Sequence, residues 1–463
     1  MARGRHRRRR RGVALRALLG GTALALTGAA TVISVSQATG ETPGPLQRIP
    51  AAAGPELREQ AVPWPHLDAL ADDLGAPVPL ATVLREAEHE MSVEDDCAGR
   101  GALPAEPEAA RAYCWEKADA RDEDWAPVSV TTSADADDDG RWGQDRVILS
   151  AWTRTADATG PGSARVAFVD AGDPDRLTYT WALLALPSAP TGTREATPAG
   201  DGGQDEDGYR PLGGELRGMV WYQDKLLATV GTPAGEALYV FSLDRVHRTA
   251  TAAAPAATGA SASAAGTTGT ADRSRFVLPA VASYQLRGGG CRTEEEGSAC
   301  LGALSLDRST SPDTLVTAER RAEGPSRLWR YTLSRHPGRE GLLSLDGGGS
   351  ARPVESFRTE AAGIRGVVSY RVEGTAEDRW YLASDPQEAA GGRGALWAQS
   401  AGEQTARAAR CGDYELPYCW AAGARGLAYR QGAGEIWGVS DAPERGERSL
   451  FAVPLGEVDA SLE

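Results

Sequence analysis

Lysine is almost missing from this chain: Lys117 and Lys225 stand against 47 arginines in 463 residues. With so strong a bias, a single arginine carries little information, and only arginines that recur at equivalent places do. Histidine is nearly as scarce. Beyond the N-terminal leader there are four, His66, His89, His247 and His336. No GxSxG or HExxH is present and no two cysteines have CxxC spacing, which leaves serine-hydrolase, zincin and thioredoxin-type chemistry without their usual signatures. After residue 35 no apolar stretch approaches the ~20 residues that cross a bilayer as a helix. Excess positive charge is missing too. The formal charge is −15, and since residues 1–38 hold eight arginines and no acid, the remainder carries −23. Nucleic acids and anionic membrane surfaces need a basic footprint, so neither is expected as a partner of the body.

The leader itself is legible. Met1–Arg11 is basic, Val13–Val35 is apolar apart from Arg16 and a few small polar residues, and Ser36-Gln37-Ala38 is a small-x-small cleavage site. Residues 1–38 therefore read as a signal peptide, with an uncleaved signal anchor as the competitor. The expected location is extracellular, or the outer face of the cytoplasmic membrane if the leader stays on. Residues 39–65, rich in Pro, Ala and Glu, read as a flexible tether. Residues 66–110 read as a short helical segment, because Leu67–Leu74 and Leu80–Met91 have apolar residues at helical spacing.

The six cysteines fall into local couples: Cys97 with Cys114, Cys291 with Cys300, and Cys411 with Cys419. An even count behind an export signal favours disulfides, and proximity in sequence selects this pairing from the 15 possible.

Residues 111–463 carry a repeat. Short runs rich in Val, Leu, Trp, Tyr and Phe alternate with Gly, Asp and Pro turns, the pattern of strands and hairpins. Arg217–Phe241 shows it best, as three strands. Five such units start near residues 128, 218, 303, 366 and 426. The later spacings of 63 and 60 set the basic unit; the earlier 90 and 85 must hold insertions. Those insertions, at about 188–214 and 249–275, are centred on Ser188–Gly208 and Thr249–Asp272, which lack large apolar residues and read as mobile loops. A period near 60 with three or four strands per unit predicts an all-β fold, a β-propeller of five blades with short helices outside it. A sixth blade or a pair of sandwiches is the alternative. The last unit runs out near Leu455, so its outer strand is expected from Tyr113–Val128, which would close the ring.

Several of these motifs, among them TTSADADDDGRWG at Thr131–Gly143, GMVWYQDKLLATV at Gly218–Val230, SLDRSTSPDTLVTAE at Ser305–Glu319 and IWGVSDAPERGERSLFAVP at Ile436–Pro454, carry a resemblance. Through them the chain resembles uncharacterised secreted β-propeller-like proteins of Streptomyces and related actinobacteria. The resemblance implies secretion and a propeller but supplies no activity. It also implies histidines before the GMVWY-type strand and in a final Thr-Glu-His motif. This chain has Gly214 or Leu216 at the first place and Ser440-Asp441-Ala442 at the second.

Two sets of site residues stand out. Asp135, Asp137 and Asp139, followed by Gly140, match the start of a DxDxDG calcium loop, with Asp145 as a further ligand; position twelve, however, is Arg146 where an EF-hand needs Glu. Calcium and a plain acidic turn both fit. The second set is the recurring Arg-Gly pair, at Arg217, Arg365 and Arg425. If these begin the innermost strands, their guanidiniums could converge on an anion at one channel mouth, or each could simply pair with acids of its own blade. The functional expectation is a secreted or envelope-tethered binding or scaffold module for an extracellular ligand or protein, with a metal-assisted hydrolase as the alternative. An enzyme is the less favoured reading, and no cofactor besides calcium is suggested.

Overall fold

In the computed structural model the described residues are 42–93, 97, 100–154, 162–189, 208–232, 235–249, 274–287, 291, 299–372, 377–385, 392–412, 415–443 and 447–462. The leader and the bodies of both insertions, residues 190–207 and 250–273, lie outside them. The fold is mostly β.

Five groups of antiparallel strands follow one another. The first is Trp125–Thr132, Val147–Arg154, Ser163–Asp170 and Thr178–Pro187; the second is Glu215–Tyr222, Lys225–Thr232, Gly235–Ser242 and Phe276–Leu286. The third is Leu301–Asp307, Thr314–Glu319, Ser326–Thr332 and Glu355–Thr359. The fourth comprises Ile364–Arg371, Asp378–Ser384 and Leu396–Ser400, and the fifth Arg425–Arg430, Glu435–Val439 and Ser449–Pro454. The first two groups also join through a parallel pairing of Phe276–Pro279 with Ala182–Ala185. The resulting sheet runs from Glu215–Tyr222 round to Trp125–Thr132, and because those two end strands touch, it nearly closes like a barrel.

Period-two alternation explains why the strands are apolar almost throughout. In Glu215–Tyr222, Met219 and Trp221 pack into a core with Leu149 and Ala151 of the first group, whereas Val220 between them packs with Leu304 and Leu315 of the third. The fifth group divides likewise. Ile436 and Phe451 share a core with Val368 and Tyr381, while Trp437 and Leu450 share one with Ile148 and Trp152. The remaining large core joins Val316 and Ala318 to Val367 and Trp380.

The first strands of the groups lie against each other in order, and that of the fifth touches that of the first. Small residues permit this approach. A Cβ on Gly218 would lie 2.6 Å from the Leu304 nitrogen, and one on Gly426, whose φ is +58°, would lie 2.6 Å from the Ser129 Cα. A register irregularity occurs near this level in all five first strands.

Strand Arg111–Cys114 pairs antiparallel with Ser449–Pro454 and supplies the fifth group's outer strand, overlapping the start of the predicted Tyr113–Val128 donor. The tether reading of residues 39–65 needs correction. Gln47–Ile49 pairs with Glu355–Thr359, and Leu57–Ala61 pairs with Phe276–Leu286, each extending the edge of a sheet. Leu46 and Leu57 are buried. The flanking Pro and Ala residues masked two short segments whose apolar anchors fill edge grooves. Of the two predicted helices, Trp64–Leu74 runs to Gly75, which adopts φ +85°, while the second stops at Arg85 and gives way to a two-residue strand, His89–Glu90. Tyr209–Pro211, inside the expected first insertion, pairs with Ala185–Pro187. All three expected disulfides are present: Cys97–Cys114, Cys291–Cys300 and Cys411–Cys419. They fit an oxidising environment, and no helix among the described residues is long and apolar enough to cross a membrane.

One ion network ties the third group to the fourth. The fully buried Arg330 donates to Glu355 at 2.8 Å, Asp378 at 3.0 Å and Ser369 at 2.7 Å, and pairs with Asp307 at 3.0 Å; its guanidinium lies 4.7 Å from the centre of the Trp380 ring. Removing one partner of a buried ion pair leaves the other charge uncompensated. Arg330→Met is therefore expected to lower unfolding stability by about 3–5 kcal/mol, read from urea denaturation midpoints. A loss below about 1 kcal/mol would show that Asp307 and Asp378 do not depend on this guanidinium.

Candidate functional site

The three recurring arginines do meet. Arg217, Arg365 and Arg425, each at or near the start of a first strand, line one recess of about 290 Å³ together with Arg320. Each is held by a carboxylate. Arg217 donates to Glu215 at 2.9 Å and to both oxygens of Glu236 at 2.9 and 2.8 Å; Arg320 reaches Glu215 at 3.3 Å; Arg365 pairs with Asp385; and Arg425 pairs with Asp441 at 3.4 Å. Four guanidiniums thus face four carboxylates. Burial and the neighbouring Arg365 hold Arg320 below the usual arginine range, and burial does the same to Arg425. The rim is internally neutralised, and an anion there would have to displace carboxylates already in place. Asp441 belongs to the Ser440-Asp441-Ala442 segment that replaces the expected histidine motif, and it also holds the buried Arg448 at 2.8 Å.

The calcium loop takes a different form. Asp135 is buried at the start of the Ser133–Ala136 helical turn, where its Oδ2 accepts from the Thr131 hydroxyl at 2.7 Å and the Thr132 amide at 2.9 Å. It is one half of a capping box, the other being the Thr132 side chain. Asp137 and Asp139 each accept from a backbone amide two residues on, at 3.4 and 2.8 Å, and Asp145 lies in a short bridge with Trp142. Asp138 is taken by Arg308, which also donates to the Ala134 carbonyl at 3.0 Å. Among the described residues no group of three or more His, Cys, Asp or Glu is placed to hold a metal. The same alternating carboxylates that can wrap a cation have instead been used to cap and turn the backbone.

At the far ends of the first strands lies a larger cleft, about 630 Å³, between the fifth group and the first. Its lining draws on residues remote in sequence. Val147, Ile148 and Leu177 form a buried apolar floor, the Tyr113 and Trp437 rings stand parallel within 3° with centroids 6.4 Å apart, and Arg111, Arg146 and Arg430 are the charged residues. Glu435 lies behind two of them. It binds Arg111 at 2.5 Å and Arg430 at 3.6 Å and accepts from the Trp437 indole at 3.3 Å. Burial and then the nearby Arg146 and Arg111 hold Arg430 below the usual arginine range, against the pull of Glu435. Burial raises the Tyr113 phenol. A polar recess of about 830 Å³, reaching Arg308, adjoins the cleft through Gly140, Arg146 and Arg430. Sequence reasoning did not find this cleft. The one available signal was Arg146, noticed only as the wrong residue at position twelve of the calcium loop.

The histidines are engaged elsewhere. His247 Nδ1 lies 2.9 Å from the Gly75 carbonyl and burial holds its pKa down, His89 Nδ1 lies 2.9 Å from Glu116, and His336 contacts the adjoining Pro337 carbonyl at 2.8 Å. None lines the cleft. No protein-family model matches the chain, and no curated protein is similar to it.

Asp135 offers a test of the turn that edges the cleft. Burial outweighs its two hydrogen bonds and the Arg308 charge, pushing its pKa from 3.8 up to about 6. A group whose folded pKa is raised contributes stability in full below the unfolded value, and that contribution is lost as pH rises through the folded one. Between pH 4 and 7 the wild type is expected to lose on the order of 3 kcal/mol relative to Asp135→Asn, which keeps a capping oxygen without a charge. Parallel urea titrations of the two proteins across this range would contradict the assignment.

Proposed function

We propose that the chain is an exported five-bladed β-propeller acting as a binding module, with its ligand seated in the cleft between the fifth and first blades. Support for five blades comes from the cyclic contacts of the five first strands, the five core clusters between neighbouring groups, and the Arg111–Cys114 strand that completes the last group. Export rests on the leader, the resemblance to secreted actinobacterial proteins, and the disulfides. The observation that carries the binding reading is the cleft itself: an apolar floor with a few convergent polar groups at its rim. Hydrolysis would need a paired acid and base or converging metal ligands. The cleft is lined by arginines, an aromatic pair and hydroxyls instead, so nothing specific favours the hydrolase alternative.

The test has two parts. A thermal-shift screen of the full-length protein against a small-molecule library is expected to yield compounds that raise Tm and lose their effect in Trp437→Ala. Lactone and aryl-glycoside substrates, offered with added divalent metals, are expected to turn over no faster than in buffer. Hits insensitive to Trp437, or turnover abolished by a chelator, would replace this reading.

A further inference from the structure

The cleft's charge pattern specifies more than a site. We propose that it takes an organic oxyanion, a carboxylate or phosphate ester carried on a single ring, with Arg146 and Arg430 gripping the charge and Tyr113 and Trp437 walling the ring. This rests on the binding-module reading and adds the class of ligand.

Three observations converge. The first is imbalance. At the opposite rim each arginine has a carboxylate, and Arg330 has three. In the cleft, Arg111, Arg146 and Arg430 share Glu435 alone, and Arg146 makes no ion pair among the described residues. Three guanidiniums with one ion-paired carboxylate in one concavity, with Asp175 acting on Tyr113 and Asp139 lining the adjoining recess, stand out in a chain whose body carries −23. An acidic protein of this kind gains nothing in solubility from adjacent like charges, whereas an anion between them relieves their repulsion.

The second is preparation of the donors. Glu435 pairs with both Arg111 and Arg430, which line the cleft, and so fixes two guanidiniums at its edge as a positioning residue. A planar guanidinium presents paired donors that match carboxylate and phosphate geometry. The Tyr113 hydroxyl makes no hydrogen bond among the described residues, and because burial favours its protonated form it remains a donor.

The third is the floor. Val147, Ile148 and Leu177 are buried beneath the arginines, and Trp437 is a flat, nearly buried wall. A free inorganic ion would leave this apolar surface uncovered, whereas a ring covers it and places its substituent at the rim.

Isothermal titration calorimetry of the full-length protein with phenyl phosphate, benzoate and neutral benzyl alcohol tests the assignment. Phenyl phosphate or benzoate is expected to bind at least tenfold more tightly than benzyl alcohol, and which of the two prevails identifies the oxyanion. Arg146→Ala should weaken that binding tenfold or more without changing the melt, because Arg146 is exposed and unpaired. Arg146→Lys should restore part of it. Glu435→Gln should reduce affinity while shifting the salt dependence, which a merely structural role would not do. Anion binding that is equal in wild type and Arg146→Ala overturns the inference, as does failure of both anions to bind. Tight binding of benzyl alcohol alone overturns the anionic class while leaving a binding site in place.

Discussion

Everything in this structure depends on how closely the five first strands approach one another. Backbone meets backbone with no room for a side chain at Gly218 and Gly426, where a Cβ would come within 2.6 Å of the neighbouring strand. Such contacts admit glycine, and residues as small as Ser129, and the register irregularities beside them let each strand bend past its neighbour. The recurring Arg-Gly pair is thereby explained by two separate demands. Glycine serves the close approach, and the arginine before it stands at the rim, where it meets acids of its own strand group.

Much of the fold was readable because of the same packing. Strands buried on both faces must be apolar nearly throughout, so runs such as Met219-Val220-Trp221 stood out, and their alternate residues serve different cores. The turns were readable from Gly, Asp and Pro. Edge segments were not: Gln47–Ile49 has no buried residue of its own beyond the preceding Leu46, and Leu57–Ala61 has only Leu57, among residues typical of linkers. The parallel joining of Phe276–Pro279 to Ala182–Ala185 left no local trace either, since it links segments almost a hundred residues apart.

The site was legible only in fragments. Spacing of acids in Asp135–Asp139 is common to cation loops and to capped turns, and the difference lies in burial, which one sequence does not reveal. The rim arginines were found because they repeat. Arg111 and Arg146 do not repeat, Arg430 has its counterpart in Arg371 at the end of the fourth group's first strand, and in a chain so rich in arginine nothing marks the three together until the fold brings them to one cleft. What distinguishes them is the number of carboxylates within reach, a property of three-dimensional arrangement alone.

The position of Arg111 has a further consequence. It lies on the strand that the N-terminal part of the chain lends to the last group, whereas Arg430 belongs to that group and Arg146 to the first. Any occupant held by all three spans the seam between the last group, its borrowed strand and the first group. By mass action, such an occupant favours the fastened arrangement over a frayed one to the extent of its concentration relative to Kd. Occupancy and closure of the circle would then be a single linked equilibrium, with the borrowed strand as the part both have in common.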